Sequence, residues 1–223
     1  MEYFLILGKA IPLTFTALLP VINPIGTAII LLSLTEGIPD EKRQALARKI
    51  ALNTILLLAG VLLAGSYLLS FFGISVSIVQ AAGGLVLASM GWKLLNQEAS
   101  PRSAADDDST AEDFAALDSK AFYPFTFPIT VGPGCVAVTL TLSAHTAHGG
   151  WGDTATGQLG ALIGILGIGA VIYFCDAYSN RIAARLGTSG TLVLMRLIAF
   201  IVICIGAEIS WTGIEALIKS LEL

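Results

Sequence analysis

Apolar stretches of about 20 residues or more alternate with short polar connections along this chain. Each stretch is long enough to cross a hydrocarbon core of about 30 Å as a helix. We place six of them, at residues 4–33, 50–71, 76–95, 121–144, 157–179 and 191–217. The pattern therefore predicts an all-α polytopic membrane protein with six transmembrane helices.

Two of the six spans carry proline and glycine near their middle. The first contains Leu18-Leu19-Pro20-Val21-Ile22-Asn23-Pro24-Ile25-Gly26-Thr27, and the fourth contains Phe127-Pro128-Ile129-Thr130-Val131-Gly132-Pro133-Gly134. A break in a membrane helix frees backbone N–H and C=O groups, each of which costs several kcal/mol unless it finds a partner. Amide groups at the start of a half-helix suit a carboxylate, and the carbonyls before the break suit an ammonium group or a cation.

Two such breaks in matching positions are typical of a transporter binding site. The alternative is a pair of proline kinks that only shape helix packing. Under the first interpretation the substrate-binding residues are Asn23, Pro24, Gly26, Thr27, Thr130, Gly132, Pro133 and Gly134.

The two halves of the chain resemble each other. Each begins with a broken span, and Phe72-Gly73-Ile74-Ser75 resembles Leu186-Gly187-Thr188-Ser189 at the next joint. Because each half has three spans, the second must enter the membrane from the opposite side, which predicts a 3+3 inverted-topology repeat. We therefore divide the chain into a repeat at residues 1–96, an acidic linker at 97–118 and a second repeat at 119–223.

The basic residues predict the orientation. Ten of the twelve lie on one side of the spans, and only Lys9 and Lys219 lie toward the other. The basic side is expected to be cytoplasmic, so both termini should face outward and the linker inward. Glu2, with no basic cluster before the first apolar stretch, indicates a retained span rather than a cleaved signal.

Four polar residues inside spans are candidates for gating or coupling. Asp176 and Arg196 lie at similar depth near the cytoplasmic side, which suggests an ion pair acting as a structural clamp or as a moving gate. Glu208 lies toward the outer half of span six and is a candidate proton carrier or an interfacial residue. Gln80 opens a run of small residues that favours helix packing first and pore lining second.

The composition excludes several other classes of protein. Hydrophobic residues make up 55% of the 223, and only 13% are charged, against about a quarter in soluble domains. No basic patch indicates a nucleic-acid partner, no phosphate-binding loop indicates ATP-driven transport, and no nucleophile cluster indicates an enzyme. The three cysteines are isolated and His145 with His148 is a weak metal pattern, so we expect neither metal nor cofactor.

The motifs Asn23-Pro24-Ile25-Gly26 and Pro128-Ile129-Thr130-Val131-Gly132-Pro133-Gly134 resemble the paired signatures of the MarC family, also called the neutral amino-acid transporter or SnatA-type family. The likeness runs in order along nearly the whole chain outside the linker. It implies a bacterial or archaeal inner-membrane protein with six spans. It also implies transport of small neutral amino acids such as glycine and alanine, for members with an assigned activity. Ala199 stands where many members would have glycine.

Together these observations predict a secondary transporter that holds a small neutral amino acid between the two broken helices. Coupling to Na⁺ or H⁺, the direction of transport and homo-oligomerisation stay open. The alternatives are a passive small-solute channel and a membrane protein with a structural or regulatory role.

Overall fold

The computed structural model describes residues 2–35, 37–96, 120–146 and 151–221, and within these ranges the chain is helical apart from short turns. The predicted linker at 97–118 lies outside the described residues. The helices are α1 (Glu2–Ile22), α2 (Pro24–Leu34), α3 (Asp40–Phe71), α4 (Val76–Leu95), the π-helical segment α5 (Ala121–Thr130), α6 (Pro133–Thr146), α7 (Trp151–Ala177) and α8 (Ser179–Leu221).

Five helical stretches in the described ranges are long and apolar enough to cross a membrane. They are Tyr3–Leu34, Asp40–Gly65, Val76–Leu95, Gly152–Ala177 and Ser189–Leu221. The pair α5 and α6, bent by 73°, makes a sixth if it is counted as one span. The predicted all-helical membrane architecture is therefore confirmed, with five or six candidate spans.

Two helices begin earlier than the apolar pattern predicts. Helix α3 starts at Asp40 instead of residue 50, and α7 starts at Trp151 instead of 157. In α8, the part that is long and apolar enough to span a membrane begins at Ser189, close to the predicted 191, and follows the kink at Gly187. Hydrocarbon sets only a minimum length of apolar sequence, so a helix can continue beyond it through polar residues. In α3, Asp40 and Glu41 occupy the first turn, where acidic side chains interact favourably with the helix dipole.

The two joints that resemble each other in sequence share a left-handed glycine. Gly73 between α3 and α4 has a φ of 65°, and Gly187 inside α8 has a φ of 63°. A residue with a Cβ would be strained in this conformation. At the first joint, the Ser75 hydroxyl accepts a hydrogen bond from the Ile78 N–H at 3.3 Å and so caps α4. The joint predicted at 186–189 is thus a kink within one long helix.

Helix α7 packs against α1 and α3, α3 packs against α6, and α4 and α8 form the most extensive pair. Glycines on α7 allow the close approach of α1: a Cβ at Gly160 would lie 2.7 Å from the Ala10 Cβ, and one at Gly164 would lie 2.8 Å from the Thr14 Cβ. The interior is filled by aliphatic side chains from several helices, including Leu18, Leu58, Leu62, Ile165, Ile168 and Ile172. Large apolar side chains such as Phe4, Leu56 and Val193 are exposed, which suits contact with lipid.

Candidate functional site

The first break consists of one residue in a left-handed conformation. Asn23 has φ 50° and ψ 64°, between α1 and α2. The residue before a proline is driven out of the right-handed helical region, and asparagine tolerates the left-handed one better than other side chains do. The Asn23 N–H still donates to the Leu19 carbonyl at 3.1 Å, and the Thr27 N–H donates to the Asn23 carbonyl at 2.9 Å. Hydrogen bonding therefore continues on both sides of the break.

The Asn23 side chain caps the helix that follows. Its Oδ1 accepts a hydrogen bond from the Gly26 N–H at 3.1 Å. A side chain at position 26 would displace the Asn23 amide, because a Cβ there would lie 2.9 Å from that oxygen. The Nδ2 group of Asn23 points to α8, 3.8 Å from the Met195 Sδ, which is a weak acceptor. The amide NH₂ is thus the part of Asn23 that retains hydrogen-bonding capacity.

Backbone groups at the first break lack partners. Pro24 has no N–H to donate to the Pro20 carbonyl, and the Gly26 N–H is taken by the Asn23 side chain rather than by the Ile22 carbonyl. Among the described residues, the carbonyls of Pro20, Val21 and Ile22 have no amide donor across the break. These oxygens present partial negative charge at the end of α1.

The second break has a more irregular backbone. Its sequence is a tandem repeat, Tyr123-Pro124-Phe125-Thr126 followed by Phe127-Pro128-Ile129-Thr130. The two aromatic residues have the same non-helical dihedrals, −121° and 124° at Tyr123 and −122° and 126° at Phe127. The two threonine hydroxyls each donate to the carbonyl five residues earlier, at 2.7 Å for Thr126 and 2.8 Å for Thr130. This tandem repeat is the signal in the sequence from which the π-helical turns could have been predicted.

The spacing of the prolines explains why the two breaks differ. Pro20 and Pro24 are separated by three residues, whereas Pro128 and Pro133 are separated by four. The extra residue is accommodated by a π-type bond, from the Val131 N–H to the Thr126 carbonyl at 2.8 Å. The chain then bends by 73° before α6.

Amide groups are left unpaired at the second break. The Gly132 carbonyl accepts hydrogen bonds from the N–H groups of Cys135 and Val136, at 3.0 and 3.3 Å. Pro133 has no N–H, and the N–H groups of Gly132 and Gly134 have no partner among the described residues. Partial positive charge therefore collects at the start of α6.

The threonine hydroxyl groups at both breaks donate hydrogen bonds to backbone carbonyls of their own segments. Thr27 is buried and donates to the Pro24 carbonyl at 3.1 Å, and Thr130 is buried and donates to the Phe125 carbonyl. Both oxygens keep only their acceptor capacity. The broken segments themselves meet, since α2 contacts α5 and α1 contacts α6.

The gating candidates are dispersed. The predicted ion pair between Asp176 and Arg196 is not present: Asp176 is buried with its Oδ1 unpartnered, and Arg196 is exposed. The spacing along the chain does not determine the direction in which each side chain points around its helix. Glu208 is exposed on α8. Gln80 is half-buried, with its Cβ next to Gly213 of α8, a position that suits packing.

Comparison with known proteins identifies the family. The family model described as "MarC family integral membrane protein" matches residues 8–218. This chain belongs to the MarC family. Among relatives, the UPF0056 membrane protein YvbG of Bacillus subtilis (strain 168) is 31% identical over 203 residues, which cover 91% of this chain and 93% of YvbG. No solved structure matches the chain.

Two further MarC-family relatives are named as inner-membrane proteins. The UPF0056 inner membrane protein MarC of Salmonella paratyphi B (strain ATCC BAA-1250 / SPB7) is 28% identical over 218 residues, covering 96% of this chain and 98% of that protein. The protein of the same name from Citrobacter koseri is also 28% identical, over 222 residues. The region that the family model matches includes both breaks. The whole candidate site of this MarC-family protein therefore lies in the part of the chain that resembles the family.

A glycine seam between α4 and α8 is a further feature of this MarC-family protein. It is formed by Gly84 and Gly91 on α4 and by Gly206 and Gly213 on α8, and the members of each pair are seven positions apart in the sequence. A Cβ at Gly84 would lie 2.5 Å from the Ser210 Oγ, and one at Gly91 would lie 2.9 Å from the Ala199 carbonyl. The backbones of the two helices are therefore in direct contact. The run of small residues after Gln80 predicts helix packing in this region, and the seven-residue spacing on both helices is a further signal in the sequence.

Residues with metal-binding chemistry are scattered in this structure. Within the described ranges, no group of three or more His, Cys, Asp or Glu side chains is placed to hold a metal ion. The H-x-x-H pattern falls at the edge of the gap at 147–150, where His148 lies outside the described residues.

Proposed function

We propose that this MarC-family protein is a secondary transporter of small neutral amino acids, with substrate held between the two breaks. The observation that carries the proposal is the opposite polarity of their unpaired backbone groups. Carbonyls of Pro20, Val21 and Ile22 are available to an ammonium group, and amides of Gly132 and Gly134 are available to a carboxylate. A zwitterion requires both polarities, and the breaks supply them without a formal charge.

The side chains that border the breaks suit a small uncharged substrate. A Cβ at Gly134 would lie 3.0 Å from the Leu87 Cγ, and one at Gly132 would lie 3.1 Å from the Met90 Cε. Met195 lies next to Asn23 from the other side. Flexible and apolar groups such as these favour aliphatic substrate side chains over charged ones.

Helix packing supports the 3+3 inverted repeat that we propose as the transport architecture. In that arrangement α1 and α2 correspond to α5 and α6, α3 corresponds to α7, and α4 corresponds to α8. The contact between α2 and α7 then has its counterpart between α6 and α3, and the contact between α2 and α8 has its counterpart between α6 and α4. The pairs α3–α7 and α4–α8 are each related to themselves by the same exchange. Such repeats are used for alternating access.

We propose further that the protein lies in the cell's inner membrane, with both termini outside and the basic residues in the cytoplasm. Names of the Salmonella and Citrobacter relatives support the inner-membrane part. Coupling to Na⁺ or H⁺ would let the protein transport its substrate against a gradient.

Ligand-dependent thermal stability of the purified protein in detergent tests the proposal. Glycine, alanine and serine should each raise the melting temperature with a saturating dose dependence, because a ligand that binds only the folded state stabilises it. The variant Asn23→Asp keeps the oxygen that caps Gly26 but loses the NH₂ group, so it should weaken binding by about tenfold or more. The matched control is Asn96→Asp at the exposed end of α4.

The outcomes test the substrate class and the location of the site separately. An absence of any shift with neutral amino acids in the unaltered protein would refute the substrate class. Equal shifts in Asn23→Asp and Asn96→Asp would refute the location. If Asn23→Asp does not fold, Thr130→Val serves instead. The Thr130 hydroxyl donates only to its own segment and keeps its acceptor capacity, so the substitution removes an acceptor at the second break without removing a hydrogen bond to another helix. Saturable uptake into proteoliposomes would distinguish a transporter from a passive channel.

A further inference from the structure

Two buried polar side chains near the joint between α7 and α8 have no partner. Asp176, in the last turn of α7, is 1% exposed, and Ser179, the first residue of α8, is 0% exposed. Neither the Asp176 Oδ1 nor the Ser179 Oγ has a hydrogen-bond partner among the described residues. They are three residues apart, a spacing that places side chains on the same side of a helical path.

The backbone at this joint presents oxygen atoms as well. The Tyr178 N–H donates to the Phe174 carbonyl at 3.1 Å, and the Arg181 N–H donates to the Tyr178 carbonyl at 3.0 Å. The C-terminal end of α7 also carries the negative end of its helix dipole. An ionised Asp176 carboxylate is purely an acceptor, and the Ser179 hydroxyl can both donate and accept.

The basic side chains around the joint are engaged elsewhere. Buried Arg43 on α3 pairs with Asp40 at 2.9 Å through Nη1, and its Nη2 donates to the carbonyls of Thr35 and Ile38 at 3.2 Å. The Asn180 Nδ2 donates to the same Asp40 carboxylate at 3.0 Å, which places this group beside the joint.

The arginines of α8 do not approach the carboxylate either. The Arg181 guanidinium lies over the Tyr178 ring, 5.3 Å from its centroid, and both Arg185 and Arg196 are exposed. The Arg43 Nε has no partner either, but no ion pair to the Asp176 carboxylate is present among the described residues.

An ionised carboxylate that is buried without a partner costs several kcal/mol, so Asp176 either binds a cation or takes up a proton. We propose that Asp176 and Ser179 form a Na⁺ site, completed by the carbonyls at the end of α7. A single carboxylate with neutral oxygen ligands balances one positive charge, whereas a divalent cation such as Ca²⁺ is held by several carboxylates. The part that this site plays in coupling rests on the proposed transport function, but Na⁺ binding itself does not.

Thermal stability at constant ionic strength tests the site. With the full-length protein in detergent and no amino acid present, NaCl replacing choline chloride should raise the melting temperature in a saturating manner. KCl should not reproduce the shift. Asp176→Asn should abolish the Na⁺-dependent shift and still fold, since it removes a buried charge without changing the shape of the side chain. Ser179→Ala should weaken the apparent affinity, and Asp153→Asn, at the other end of α7, should leave it unchanged.

Three results would overturn the proposal. These are a shift that is the same with K⁺ or choline, a Na⁺ shift that survives in Asp176→Asn, and stabilisation of the unaltered protein by lower pH alone with no Na⁺ effect. The last result would assign a proton to Asp176 instead. If Na⁺ binds but no amino acid does, the site stands and the transport function fails. If an amino acid binds with no Na⁺ effect, the function stands and the site fails.

Discussion

Replacing Gly206 with alanine should force α4 and α8 apart. The new Cβ would lie 2.5 Å from the Ala88 nitrogen, 2.7 Å from the Gly84 carbonyl oxygen and 3.0 Å from the Ala88 Cα. All three are backbone atoms, which cannot move aside as a flexible side chain can. Because non-bonded heavy atoms settle at about 3.5–4.0 Å, the two helices must separate locally by about 1 Å.

The loss of stability follows from that separation. Overpacking of a well-packed interface costs about 1–3 kcal/mol. The Ser210 hydroxyl donates to the Ala81 carbonyl across the same seam at 2.8 Å, and stretching that bond adds about 1 kcal/mol. We therefore expect Gly206→Ala to lower the free energy of unfolding by about 2–4 kcal/mol. In a protein of this size the melting temperature falls by about 2–4 °C for each kcal/mol.

Thermal unfolding in detergent measures this effect, and Gly60→Ala in α3 is the matched control. A Cβ at Gly60 meets nothing within 4 Å, so the same chemical change there should be neutral or slightly stabilising. Equal melting temperatures for Gly206→Ala and Gly60→Ala would refute the inference that backbone contact at the seam stabilises the fold.

Three other predictions concern the first break, the cytoplasmic side and the orientation. Asn23→Ala should destabilise more than Asn23→Gly, by about 1 kcal/mol in thermal unfolding, because only glycine adopts the left-handed conformation without strain. Arg43→Met should cost about 1–3 kcal/mol because it leaves buried carbonyls unpaired, whereas Lys219→Met should cost about 0.5 kcal/mol or less, since that pair is exposed. In a cysteine-free background, a membrane-impermeant maleimide should label Ile74→Cys in intact cells and Arg185→Cys only after permeabilisation; the reverse would contradict the proposed orientation.

The apolar pattern predicts the spans well because hydrocarbon imposes a minimum length of apolar sequence. It does not predict where the helices end. Helix α3 continues to Asp40 through residues that are good helix formers in water, and no hydrocarbon constraint acts on them. In α8, the kink at Gly187 was visible in the sequence only as a joint.

The positions of the two helix breaks were predictable from the sequence, but the groups that they leave unpaired were not. Proline and glycine mark both breaks because they remove or weaken helical hydrogen bonds wherever they occur. Which groups remain unpaired depends on local geometry. The Asn23 side chain accepts a hydrogen bond from the Gly26 N–H, and the Thr130 hydroxyl donates to a carbonyl of its own segment. The prediction of an ion pair between Asp176 and Arg196 was wrong for a related reason. Sequence separation gives the position of a residue along its helix, but packing between distant helices decides the direction in which its side chain points.

The difference between the two breaks provides a test of the proposed inverted repeat. Alternating access by exchange of roles requires the first break to bend, and the second to straighten, in the state that opens to the other side. Spin labels at the exposed positions Leu13 and Ile30 report on the first break, at Asn23. Along a continuous helix these positions are about 25 Å apart. A bend like the 73° of the second break would shorten that to about 21 Å, which pulsed electron paramagnetic resonance resolves. A shorter population should appear with saturating alanine in liposomes, and an unchanged single distance would contradict the exchange.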